Sequence, residues 1–242
     1  MSMKISEEQV IELINNGGIK IVNNISISDL CTIINESFME FRNFEKLGHG
    51  SYGDVFGYND YAVKRFKNYL NEDNLSECLD AEILIELDEV KSVPKLYAVV
   101  YDEILIMERV YGYTVGDYCE DYNNEVNNPI GIDEEFIDKF KNALLDIVKA
   151  GYTPKDLHEY NVMIDSRNKE PKIVDVGLFR RHNQRYDNSD IHSLESNNGY
   201  MTANSWTGST LRRFVNTHSD IMFKKNIEKE AKTILNGYNL MC

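Results

Sequence analysis

Cysteine, proline and tryptophan are scarce in this chain of 242 residues, which holds four, four and one of them. The cysteines (Cys31, Cys78, Cys119 and Cys242) stand far apart, with no C-x-x-C pair and no histidine at ligand spacing. That pattern argues against a zinc site and against a disulfide framework, and it predicts reduced thiols. With so little proline and no low-complexity tract, no linker interrupts the chain, so one continuous fold is the simplest reading. Long apolar runs are missing too. Nothing approaches the roughly 20 residues of a membrane span, and the start, MSMKISEEQV, lacks the apolar segment of a secretory signal. A cytoplasmic location is therefore expected. Basic residues are outnumbered, 26 against 40, giving a formal charge of −14. Such a charge repels phosphate backbones and anionic lipid, so no nucleic-acid or membrane partner is expected; a basic protein partner suits it better.

What is present is ample apolar content, 42% of residues, enough for one large domain or two small lobes. Residues 1–43 read as a helical N-terminal extension. Ser6 and Gln9 form a capping-box pattern ahead of Val10, Ile11, Leu13 and Ile14, and Gly17-Gly18 ends that helix. A second helix is expected from near Ser28, with Leu30, Ile33, Ile34, Phe38 and Phe41 on its buried side. From Phe44 to about Met107 the pattern changes to short β-branched and aromatic runs around one helix, and from about Thr114 it turns helical. A helix capped by Asp133 should run through Phe136, Phe140, Leu144, Ile147 and Val148 to Gly151. The fold class is α+β, a small β-rich part followed by a helical one.

The chemistry-bearing residues begin at Leu47-Gly48-His49-Gly50-Ser51-Tyr52-Gly53-Asp54-Val55-Phe56, which contains G-x-G-x-x-G. Glycines let a backbone approach phosphate oxygens closely and donate N–H groups to them. A dinucleotide site has the same spelling but should run straight into a helix. This one runs into a turn at Gly57-Tyr58-Asn59-Asp60 and then Tyr61-Ala62-Val63-Lys64, a β-hairpin ending in a lysine. Further on come Asp156-Leu157-His158-Glu159-Tyr160-Asn161 and Lys172-Ile173-Val174-Asp175-Val176-Gly177. A carboxylate to accept a proton, with an amide and a second carboxylate to hold a divalent metal, is what phosphoryl transfer requires.

In this order and spacing, the set resembles the protein kinases. The resemblance spans about residues 44–180 and implies a bilobal kinase-like fold: an N-lobe and hinge over 44–110 and a reduced helical C-lobe over 111–242, with ATP between the lobes. It implies that Gly48, Gly50, Ser51 and Gly53 cover the phosphates and that Lys64 holds them. Lys64 would pair with a helix carboxylate, Glu82 first, with Glu77 and Asp80 as alternatives. Met107 falls at the gatekeeper position, the backbones of Glu108 and Val110 would pair with adenine, and Val55, Ala62 and Met163 would sandwich the base. Asn161 and Asp175 would hold Mg²⁺, and Asp156 would orient the acceptor hydroxyl and take its proton.

The chain departs from the family where H-R-D reads Pro154-Lys155-Asp156 and D-F-G reads Asp175-Val176-Gly177, and where no A-P-E element follows. The D-L-x-E-Y-N wording is similar to RIO-type atypical kinases, and D-L-H also occurs in aminoglycoside and choline phosphotransferases. His158 stands where many kinases keep a lysine near the transferred phosphate. Arg180, Arg181, His182 and Arg185 form a basic cluster where an acceptor should arrive. The wording, rich in Asn, Ile and Tyr, points to an AT-rich bacterial or phage source. The expected activity is Mg²⁺-dependent transfer from ATP to Ser or Thr of a protein. A small-molecule kinase and a non-catalytic kinase-fold binding module are the alternatives.

Overall fold

The computed structural model describes residues 4–50, 52–67, 80–117, 134–154, 157 and 159–181. The chain divides into two compact units, one of Met1–Asp88 with Pro94–Val110, the other of Glu89–Val93 with Tyr111–Cys242.

In the first unit the N-terminal residues build part of the core. Helix α1 (Glu7–Asn15) opens with the complete capping box: Gln9 N–H donates to Ser6 Oγ, and Ser6 N–H donates to the Gln9 side chain. It ends where Gly17, at φ +79°, turns the chain. Strand β1 (Ile19–Ile21) follows, and after it α2 (Ile27–Ser37), capped by Ser26, whose hydroxyl accepts from Asp29 N–H. Leu30, Ile33 and Ile34 face inward as expected, but the helix stops at Ser37 and leaves Phe38 57% exposed. Glu40 and Phe41 then both take φ +55°, and this left-handed turn carries Phe41 back into the core. There it stacks on Phe56 with ring centroids 4.7 Å apart. Burial of a whole aromatic side chain, worth several kcal/mol against truncation, outweighs a strained backbone of order 1–3 kcal/mol.

The sheet continues with β2 (Glu45–His49), β3 (Gly53–Tyr58), β4 (Tyr61–Phe66), β5 (Leu96–Val100) and β6 (Ile104–Glu108). Among the described residues the strand order is β1-β5-β6-β4-β3-β2. Asn59, at φ +48°, makes the tight β3–β4 turn with Asp60; Gly57 lies inside β3, not in the turn. Strand side chains alternate in direction, and this separates two faces. Val63, Ile106, Ala98, Val100 and Ile104 pack with Val10, Leu30, Ile33, Ile34 and Phe41 in one core. The intervening Ala62, Lys64, Leu105 and Met107 therefore point to the opposite face, joined by Val55, which pairs with Lys64 across β3 and β4. Helix α3, described over Asp80–Glu86, belongs to this unit.

In the second unit, α4 (Glu134–Lys149) buries Phe136, Phe140, Leu144, Ile147 and Val148, a stripe at helical spacing. Gly151, at φ +95°, closes it, and its N–H donates to Val148 O. Strands β7 (Gly112–Thr114), β9 (Val162–Asp165) and β10 (Pro171–Ile173) form a sheet in the order β10-β9-β7. Strand β8 (Tyr152–Thr153) pairs with β11 (Arg180–Arg181). Gly112 permits the β7–β9 contact, since a Cβ there would lie 1.9 Å from Ile164 O. No helix of the described residues is long and apolar enough to cross a membrane.

Candidate active site

The glycine-rich segment is a hairpin turn between β2 and β3. Gly50 N–H donates to Gly53 O at 2.9 Å, and the Lys67 ammonium donates to Gly50 O, so the turn is closed from both sides. Nothing in the sequence marks Lys67 for that part. The three glycines differ in what the protein itself demands. A Cβ on Gly53 would stand 2.5 Å from Arg65 O, so the β3–β4 pairing requires glycine there. Among the described residues the nearest atoms to a Cβ built on Gly48 and on Gly50 are 4.0 and 3.7 Å away, ordinary contact distances. Packing among the described residues therefore gives no reason for glycine at those two positions. Ser51 lies outside the described residues.

Lys64 is 6% exposed, and its ammonium stands 3.1 and 3.2 Å from the two carboxylate oxygens of Asp80. The ammonium also lies over the Phe66 ring, 5.4 Å from its centre. The partner is thus Asp80, not the expected Glu82. The reason is helical register: Asp80, Ile83, Leu84 and Leu87 recur at i, i+3, i+4 and i+7, and all four are buried. Glu82 and Glu86 project from the solvent side of the same helix. Glu77 lies outside the described residues. The spacing of Asp80 with those apolar residues was the available signal.

Beside Lys64 the same sheet face carries Val55 and Ala62, and Met107 pairs with Ala62 in register. The segment after β6 is fixed by its backbone: Glu108 N–H donates to Lys95 O at 2.8 Å and Arg109 N–H to Asp60 O at 2.9 Å. Val110 follows, 9% exposed.

In the second unit the β9–β10 hairpin brings Asn161 and Asp175 to one end. Ile173 pairs with Val162, and one step further Val174 N–H donates to Asn161 O at 2.9 Å. Asn161, in a short 3₁₀ turn (Glu159–Asn161), is 8% exposed, whereas Asp175 is exposed and holds φ +58°. A left-handed non-glycine residue at such a junction is strained, and strain of this kind gathers at functional sites. An amide and a carboxylate at one hairpin end suit a magnesium ion, which takes few protein ligands and fills its shell with water and phosphate oxygens. Among the described residues no group of three or more His, Cys, Asp and Glu side chains could hold a metal alone.

Met163, on β9, is half-buried and pairs with Thr114 and Lys172. Asp156 and His158 lie outside the described residues, as do His182 and Arg185. Their flanks are described: Pro154 and Leu157 are buried, and Arg180 and Arg181 are exposed on β11.

One buried charge escaped the sequence reading. Asp165, fully buried, accepts from the Arg167 Nε at 3.0 and 3.2 Å and from Nη2 at 2.7 Å. Burial alone would raise its carboxyl, but the Arg167 hydrogen bonds, with the Arg167 and Lys172 charges, hold it below the usual aspartate range. The Arg167 guanidinium also lies over Tyr111, 5.1 Å from its ring centre.

No model of a known protein family matches the chain. It is similar to a probable serine/threonine-protein kinase of Dictyostelium discoideum, 23% identical over 148 residues, which is 58% of this chain and 15% of that much longer protein. A likeness this distant reaches the kinase-like superfamily and no further, and the mixed α+β build with its β-rich sheet is compatible with it.

Proposed function

We propose that the chain is an ATP- and Mg²⁺-dependent phosphotransferase, acting on Ser or Thr of a protein. The observation that carries this reading is the buried Lys64–Asp80 pair, whose lysine pairs in register with Val55, two residues after Gly53. A lysine out of water is costly unless a carboxylate holds it charged, and a fixed ammonium near a glycine turn suits the phosphates of a nucleotide.

In this reading Gly48, Gly50, Ser51 and Gly53 offer backbone N–H groups to the phosphates, and Lys64 takes the α- and β-phosphates. Val55, Ala62, Met107, Glu108, Val110 and Met163 receive the base. Asn161 and Asp175 would hold Mg²⁺, which when bound neutralises developing phosphate charge. Asp156, between buried Pro154 and Leu157, orients the acceptor hydroxyl and accepts its proton. The kinase likeness of the Dictyostelium protein supports a protein acceptor.

The test is transfer of labelled phosphate from Mg·ATP by purified protein, with autophosphorylation, basic proteins and small alcohols compared side by side. Label on Ser or Thr of a protein supports the reading. Label on a small alcohol alone would move the assignment to a small-molecule kinase, and nucleotide binding with no transfer to any acceptor would move it to a binding module.

A further inference from the structure

Residues 4–43 fall outside the kinase resemblance, yet they reach α3, the helix that carries Asp80. At the exit of β1 the Val22 and Asn23 N–H groups both donate to Tyr97 O, at 2.9 and 3.1 Å, which fixes the chain against β5. From there the Asn23 side-chain amide donates through Nδ2 to Asp88 Oδ1 at 2.7 Å and to Leu96 O at 2.9 Å. A carboxylate and a carbonyl are both acceptors, so the amide nitrogen has to face them. The two bonds use both of its hydrogens.

Asp88 follows the last turn of α3, which Leu87 N–H closes on Ile83 O at 2.9 Å. A helix this short holds neither its form nor its place by its own hydrogen bonds. Its buried Ile83, Leu84 and Leu87 press it onto the core, but apolar burial is non-directional and does not set where along its axis the helix rests. The directional bonds do: Asp80 to Lys64 at one end, Asp88 to Asn23 at the other. The two aspartates are eight residues apart, about 12 Å at the rise of a helix. A displacement of about 0.5 Å away from Lys64 takes the Asp80 carboxylate out of hydrogen-bonding range.

We propose that Asn23 is a positioning residue for Lys64: through Asp88 it anchors α3 where Asp80 meets the ammonium, which makes the N-terminal segment a working part of the lysine site. The consequence for phosphate binding rests on the nucleotide reading given above; the hold on α3 does not.

The first readout needs no nucleotide. Reductive methylation of the folded protein, followed by mass spectrometry, reports how often Lys64 leaves Asp80, with exposed Lys46 as the internal reference. Asn23→Ala and Asp88→Ala should each raise the Lys64 rate about tenfold or more, the loss of one hydrogen bond to a charged group. Asp88→Asn keeps a carbonyl acceptor for Asn23 and should stay near the wild-type rate. Ile33→Val weakens the core of the same unit without touching this bond, and it should leave the rate unchanged. A wild-type Lys64 rate in Asn23→Ala and Asp88→Ala, or an equal rise in Ile33→Val, would overturn the proposal. The second readout is calorimetry with Mg·ATP: Asn23→Ala should lose affinity in the wild-type background and cost nothing further in Lys64→Met, because both act on one ammonium. Equal losses in the two backgrounds would overturn action through Lys64. If methylation behaves as expected and wild type binds no Mg·ATP, the nucleotide reading falls and the hold of Asn23 on α3 stands.

Discussion

The Lys64 ammonium and the Asp80 carboxylate meet at 3.1 and 3.2 Å with both side chains shut off from water. Removing one member leaves the other as a buried uncompensated charge. Asp80→Ala should therefore cost about 3–5 kcal/mol of stability. Glu82→Ala, on the exposed side of the same helix, should stay within about 0.5 kcal/mol. Urea unfolding of the two variants checks the contrast, and equal losses would show that the pair does not stabilise the fold.

The glycine turn predicts a split between stability and binding. Gly53→Ala drives a Cβ against Arg65 O, so it should destabilise by more than about 2 kcal/mol, in the range of overpacked sites. Among the described residues Gly50→Ala meets nothing closer than 3.7 Å, so it should melt like wild type while its KM for ATP rises, because the added methyl takes up room at the turn. Unchanged KM in Gly50→Ala would remove the phosphates from that turn.

Asp165 sets a pH signature. Its folded-state carboxyl lies below the usual value, so it contributes stability that is complete above the ordinary aspartate pKa of about 3.9 and lost as pH falls through the folded value. Arg167→Met removes the hydrogen bonds and leaves burial, which raises the pKa and reverses the slope. In wild type this contribution to the unfolding free energy should rise with pH up to about pH 5 and stay level above it; in the variant it should fall with pH. Parallel curves would contradict the assignment.

These residues mark how far the sequence could be read. Local rules carried what depends on neighbours in the chain: the Ser6–Gln9 capping box, the Leu30/Ile33/Ile34 stripe, the hairpin into Lys64 and the glycine stop at Gly151 all stand in the structure. Strand β1 is not legible in the sequence, since three residues between two helices give too short a pattern and only pairing with β5 makes it a strand. Periodicity puts Phe38 and Phe41 on one helix face because it is blind to the left-handed turn at Glu40 and Phe41. Lys64 meets Asp80 and not Glu82 because the buried stripe of α3 starts at Asp80. Arg167, Lys67 and Asn23 act through partners that no spacing rule connects to them.

A separation of roles is expected at the second unit. Asp156→Ala should keep the Mg·ATP affinity while turnover falls at least about a hundredfold, the lower end for loss of a positioned base. Asn161→Ala should lose rate through metal positioning, so raising Mg²⁺ should partly restore it and do nothing for Asp156→Ala. Rescue of both variants by Mg²⁺, or of neither, would dissolve the distinction.

The most direct measurement is calorimetric titration of wild type and Asp175→Ala with ATP, each with and without Mg²⁺. Wild type should bind ATP more tightly when Mg²⁺ is present, and Asp175→Ala should lose that gain, about tenfold or more for a carboxylate taken from the metal. Mg·ATP affinity equal in the two proteins, or no ATP binding by wild type, would contradict the account.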